Sequence, residues 1–276
     1  MISVYLQGGL GNQLFQIFTT IAYSMKYKVA FKLPTVKNDL TSPYGEIYKR
    51  PLYFDNLLKS LTPFLTNKIT YSVCWKEKGH FYTEIPYSKE DMLIFGYFQS
   101  YKYFDKYKKD ILKLTNIDKL LHKENNNKIS IHFRIGDYKH NTKAHPILTV
   151  NYYIKSLQHI VEKTNKDDWI IVYFFEKKDL EQVTESINII KSNFKNFTFK
   201  KCDQNLSDWE EMISMSSYKH NIIANSTFSW WGAYLNENND KIVCYPATWF
   251  GPAIPNDTRD LFPNKWIKIK ELQSFE

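Results

Sequence analysis

Apolar positions along this chain follow two regular periods, and the pattern switches between them several times. Residues 2–6 (Ile-Ser-Val-Tyr-Leu) read as a strand and the glycines at 8, 9 and 11 as a turn. Residues 12–27 then read as a helix with Leu14, Ile17, Phe18, Ile21 and Met25 on one face. Val29 to Leu33 reads as a second strand, so the chain opens with a β-α-β unit, which implies a parallel sheet. From residue 35 to about 90 the pattern is irregular, with Pro43, Pro51, Pro63 and Pro86 dividing it into short pieces.

The polar run Asn125-Asn126-Asn127 is the best candidate for an interdomain link, which puts one domain at 1–127 and a second at 128–276. Beyond it the alternation restarts. Strands are predicted at 129–135, 169–174, 196–200, 221–224 and 242–245, and helices near 150–163, 179–191, 208–217 and 228–236. Alternating strands and helices in both halves predict two α/β domains facing each other across a cleft.

Composition narrows the class. With 43% hydrophobic and 17% aromatic residues in 276, the chain can bury a sizeable core, which excludes disorder, collagen and coiled coil. The charge of +8 is spread over single lysines rather than a dense stripe, and no nucleic-acid module is readable, so no nucleic-acid partner is expected. Contact with an anionic membrane surface or an anionic small ligand fits the same charge. No secretory segment or long apolar run is present, which predicts a cytoplasmic protein. Cys74, Cys202 and Cys244 have no paired spacing and read as reduced, buried thiols.

Three segments can carry chemistry. Gln7-Gly8-Gly9-Leu10-Gly11-Asn12-Gln13 lies between a strand and a helix, where bare N–H groups and the helix dipole can hold an anion. It lacks the third glycine of a dinucleotide fingerprint and the Gly-Lys-Ser/Thr of a Walker loop, so it is either a structural turn or a ligand loop. In the second segment, Ile129, Ile131, Phe133 and Ile135 share one face of a strand, and His132 and Arg134 share the other. Arg134 near the carboxyl end of a strand, two residues before Gly136, either binds a diphosphate bidentately or pairs with Asp137 to brace a turn. The third segment, Asn225-Ser226-Thr227-Phe228-Ser229, leads a buried strand into a helix whose stripe is Phe228, Trp231 and Leu235, with Trp230 off it. No Asp-x-Asp occurs, so a departing diphosphate would depend on protein cations.

Together with Phe95-Gly96-Tyr97-Phe98-Gln99-Ser100-Tyr101-Lys102-Tyr103-Phe104, these segments resemble glycosyltransferase family 11, the alpha-1,2-fucosyltransferases. The match runs over nearly the whole chain, and its most specific part is Asn-Ser-Thr-Phe-Ser-Trp-Trp-Gly at 225–232. The resemblance implies a GT-B-like fold of two Rossmann-like domains. It also implies GDP-fucose as donor substrate with no further cofactor and no metal, inversion at the fucose anomeric carbon, and a glycan acceptor ending in galactose.

The carry-over is specific to residues. Arg134 matches the first arginine of a His-x-Arg-Arg-x-Asp motif whose second position here is Ile135, and Asp137 and His132 join it as catalytic candidates. Gly9, Gly11, Asn12, Gln13, Glu211, Asn225, Ser226, Thr227 and Ser229 are expected to contact the donor, and Tyr97 and Gln99 the acceptor. At Phe175-Glu176-Lys177-Lys178-Asp179 the family's Ser-Asp-Asp survives only as Asp179, and Lys177 or Lys178 is expected to supply positive charge to the nucleotide.

Overall fold

The computed structural model describes residues 1–36, the backbone of 40–41 and 47–48, and residues 51–123, 127–255 and 257–270. Asn125 and Asn126 of the expected link lie outside these, while Asn127 donates from its side chain to the carbonyl of Asp168 at 3.2 Å. The chain divides into two compact units. One is Met1–Leu120 with Asp257–Pro263, and the other is Leu121–Asn256 with Asn264–Glu276. The division falls slightly before residue 127, and 257–263 returns to the first unit, a return that no hydrophobic period marks.

The first unit contains β1 (Ile2–Val4), α1 (Leu10–Tyr27), β2 (Leu33–Pro34), β3 (Leu40–Thr41), β4 (Ile47–Tyr48), β5 (Leu65–Thr66), β6 (Val73–Lys76), β7 (Met92–Phe95) and α2 (Lys108–Thr115). Its sheet has the order β1-β7-β6, all parallel, and Phe31 adds a parallel bridge to Ile2. The predicted strand at 29–33 is thus present beside β1, but β2 itself pairs with β5. Helix α1 is buried nearly all round from Leu10 to Tyr23, Gln13, Gln16, Thr19 and Thr20 included, and Gln13, Gln16 and Thr20 find backbone partners inside. Lys28 ends it in the left-handed conformation at φ 54°.

The second unit contains β8 (Lys128–His132), α3 (Val150–Thr164), β9 (Ile170–Phe174), α4 (Leu180–Asn193), β10 (Thr198–Lys201), α5 (Asp208–Ser217), β11 (His220–Ile222), α6 (Thr227–Leu235), β12 (Val243–Pro246) and β13 (Ile267–Ile269). Its six strands are all parallel in the order β10-β9-β8-β11-β12-β13. Counted from β8 this is 3-2-1-4-5-6, the Rossmann order. Ile129, Ile131, Phe133 and Ile135 pack on one side in a cluster with Tyr152, Tyr153, Leu157 and Ile160 of α3 and Val183, Ile187 and Ile190 of α4. Val172, Phe174, Cys202, Met215 and Tyr218 form a second cluster. Cys202 and Cys244 are buried thiols, whereas Cys74 on β6 is exposed, contrary to expectation, because β6 is an edge strand whose residues are largely open.

Trp230 corrects the stripe drawn from sequence. It is 0% exposed, stacked on Tyr234 at 4.7 Å and packed against Trp231 at 5.2 Å and Trp266 at 5.5 Å. Helix α6 is buried from Ser229 to Leu235, so it has no solvent face for an off-stripe residue to occupy. Gly232 permits this packing, since a Cβ there would sit 2.9 Å from the Met215 Cβ of α5. Trp230→Ala removes this aromatic anchor and is expected to cost about 3–5 kcal/mol of stability, read as a lowered urea midpoint.

Candidate functional site

Strand order in the second unit reverses between β8 and β11, which are adjacent in the sheet and register Ile222 against Ile131. Crossovers leave such a pair toward opposite sides, so a crevice opens outside the two carboxyl ends. The Arg134 segment follows β8 and the Asn225–Ser229 segment follows β11. Two of the three sequence-derived segments therefore meet at the switch point of one sheet.

Phe133 extends the pairing of β8 by donating its N–H to the Phe174 carbonyl at 2.9 Å, and the chain then turns sharply at Gly136, where φ is +26°. Asp179 holds the turn by accepting the Gly136 N–H at 2.8 Å and the Lys139 ammonium at 2.9 Å while almost fully buried. Asp179, the acid that the resemblance to a Ser-Asp-Asp singles out, is therefore a brace for the Arg134 turn. Arg134 projects beside it with a side chain 17% exposed, forms ion pairs with both Asp137 and Glu176, and lies 5.0 Å over the Tyr138 ring. The Tyr138 hydroxyl donates to the Asn225 carbonyl at 2.9 Å, joining the loop after β8 to the loop after β11.

The other candidates divide by what surrounds them. Asn225 is committed to the fold, donating from its amide to the Pro146 carbonyl at 2.9 Å and the Trp249 carbonyl at 3.2 Å, with its Oδ1 buried and unpartnered. Ser226 is the N-cap residue of α6 without a side-chain cap bond, Thr227 begins the helix, and Ser229 is buried within it. His132 is buried against the Phe228 ring at 5.4 Å, and burial together with the nearby Arg134 charge pushes its imidazole down to about 3. A neutral, enclosed imidazole of that pKa is a poor proton acceptor near pH 7, which argues against a base role for His132. On α5, burial raises Glu211 to about 7, beside the Cys202 thiol at 3.8 Å. Lys178 gives its charge to Glu176 at 3.0 Å, and Lys177 acts electrostatically on Glu211.

In the first unit, Gly8 takes φ +79° and Gly9 caps α1 without a side chain, so Gly11 and Asn12 fall in the first turn of the helix. Gln13 is a brace, donating to the Gly8 carbonyl at 3.0 Å and the Pro51 carbonyl at 2.9 Å. The Asn12 side-chain oxygen Oδ1 accepts from the Gln99 side-chain amide at 3.1 Å, linking the glycine loop to the Tyr97–Gln99 segment. That segment is held by Glu77, whose Oε2 accepts the N–H of Tyr97 at 2.8 Å and of Phe98 at 3.0 Å where Phe98 takes φ 53°. Of the neighbouring aromatics, Phe98 and Phe104 are core, Phe104 packing on Phe15 and Phe18.

Residues 1–270 match the description of Glycosyl transferase family 11. The chain belongs to this family. It is 30% identical to an O-antigen biosynthesis glycosyltransferase of Escherichia coli named WbnK, over 96% of this chain and 99% of that one. It is 31% identical to an alpha-1,2-colitosyltransferase of Escherichia coli, over 96% of this chain and 98% of that one. The switch-point crevice is thus part of a glycosyltransferase. Among the described residues, no helix of this family member is long and apolar enough to cross a membrane.

Sequence reasoning missed Glu77, Tyr138 and Asp179 as organisers of these segments. Tyr138 stands inside a motif and was within reach; Glu77 lies in a lysine-rich stretch with no local signal. Burial raises Glu77 to about 7, against the lowering effect of the two N–H groups it accepts. A carboxyl raised above its unfolded value binds more protons folded than unfolded, so its contribution to stability is present at low pH and is lost as pH rises from about 4.5 to about 7. Glu77→Gln, which keeps the acceptor oxygen, is expected to gain in melting temperature relative to the unsubstituted protein as pH goes from 5 to 8. A pH-independent difference between the two would contradict this.

Proposed function

We propose that this family member transfers L-fucose from GDP-fucose to a glycan hydroxyl, the 2-hydroxyl of a galactose, with inversion and without a metal, in the cytoplasm. The observation that carries the reading is Arg134 at the switch point of a Rossmann-ordered sheet, opposite the start of α6. A diphosphate there meets a guanidinium fork and the positive end of a helix dipole.

In this reading the acceptor hydroxyl oxygen attacks the fucose C1 as the bond to the GDP oxygen breaks, and the hydroxyl proton passes to water as the new bond forms. Arg134 stabilises the charge that develops on the departing diphosphate. Asp137 orients the guanidinium from within the same turn. Asn225, Ser226, Thr227 and Ser229 shape the donor pocket in the second unit, where Glu211 faces the nucleoside. Gly9, Gly11 and Asn12 are assigned to the donor and Tyr97 and Gln99 to the acceptor, while Gln13, expected at the donor, is fully buried and supports the glycine loop. With Ile135 buried in the core, the phosphate-facing charge of the segment rests on Arg134 alone.

A second donor is favoured by one finding. A relative matched over nearly its whole length is named for colitosyl transfer in an alpha-1,2 linkage, so a colitosyl donor belongs in the same assay.

The test is acceptor-dependent GDP release in EDTA with a panel of galactosides. Arg134→Ala is expected to lower kcat/KM about a hundredfold to a thousandfold. Arg134→Lys is not expected to restore it, because the bidentate fork is lost. Undiminished turnover in Arg134→Ala would remove Arg134 from the mechanism, and a product linked elsewhere than the galactose 2-hydroxyl would overturn the linkage.

A further inference from the structure

The two ends of the Arg134 guanidinium are engaged differently. One end pairs with Asp137, which lies in the same turn, three residues on. The other pairs with Glu176, which arrives from the loop after β9 and has a side chain 34% exposed. Gly136 makes room for it, since a Cβ there would lie 2.7 Å from the Glu176 Oε1. Glu176 also has a second cation in reach, Lys178 at 3.0 Å, whose side chain is 60% exposed. The cluster of Arg134, Lys139 and Lys178 against Asp137, Glu176 and Asp179 is balanced in formal charge.

A diphosphate approaching Arg134 therefore meets a carboxylate already on the guanidinium, and two anions sharing one cation at close range repel. Asp137 is tied to the turn and Asp179 is buried in it, but Glu176 is free to swing outward. We propose that Glu176 is a positioning residue that sets donor affinity by competing with the donor diphosphate for Arg134, and that Lys178 receives Glu176 when the diphosphate displaces it. This rests on the assignment of the diphosphate to Arg134. It reverses the role expected of Lys178, which acts on the donor through Glu176 rather than by touching it.

The experiment is calorimetric titration of the full chain with GDP and, separately, with guanosine. Glu176→Gln is expected to tighten GDP about threefold to tenfold, the scale of a partly exposed charged pair, and to leave guanosine unchanged. Lys178→Ala is expected to weaken GDP by a similar factor, and Glu176→Gln/Lys178→Ala to bind GDP as Glu176→Gln does. Weaker or unchanged GDP binding in Glu176→Gln would overturn the proposal, the former marking Glu176 as a ligand of the nucleotide. An equal gain for guanosine would overturn it too, as would a Lys178→Ala loss that persists in the double variant. Arg134→Ala separates the two levels. If it leaves GDP affinity intact, the diphosphate assignment fails; if it weakens GDP while Glu176→Gln gives no gain, this proposal fails alone.

Discussion

A guanidinium in a partly buried pocket must be paired, and in this protein that requirement organises the crevice at the carboxyl ends of β8 and β11. Arg134 is supplied with two carboxylates and a tyrosine face. Each partner brings its own support. Asp137 comes with a turn that Asp179 closes from the loop after β9, and Tyr138 reaches the Asn225 carbonyl beyond β11. Asn225 in turn fixes the Pro146 and Trp249 carbonyls. The loops around the switch point are thus one hydrogen-bonded assembly built around a single charge. Its apolar floor is the cluster of Ile129, Ile131, Phe133 and Ile135 against α3 and α4.

The same assembly explains how the chain departs from the arginine pair of its family's motif. Ile135 lies three residues past the end of β8, at φ −119° and ψ −70° at the head of the following turn, yet it packs into the core cluster, and isoleucine suits that place. The loop after β9 surrounds the one arginine of this segment with Glu176, which pairs with it, and Asp179, which braces its turn.

Much of the second unit was legible because its elements are long and strongly periodic. The strand expected at 129–135 ends at His132, though the shared side assigned to Ile129, Ile131, Phe133 and Ile135 holds, and α3 to α6 lie near their expected bounds. Legibility ended where tertiary partners decide. Trp230 reads as off-stripe because a helical wheel cannot show that α6 is enclosed on every side. Asp179 is marked in the sequence only as the acid left at this place, and nothing local shows that it is consumed by a turn 43 residues earlier in the chain. Gln13 and Glu77 are similar: each satisfies backbone groups distant in sequence, and no local pattern records such a partner. The return of 257–263 to the first unit, where Asp260 accepts the Tyr82 N–H and its carbonyl accepts the Ser100 hydroxyl, is likewise invisible to periodicity.

The central claim, that the crevice between the carboxyl ends of β8 and β11 receives the donor diphosphate on Arg134, is tested most directly by a crystal structure of the protein with GDP. The account predicts diphosphate oxygens within hydrogen-bond distance of the Arg134 guanidinium and near the start of α6, with Glu176 turned away. A diphosphate bound elsewhere, with Arg134 still paired to both Asp137 and Glu176, would contradict it.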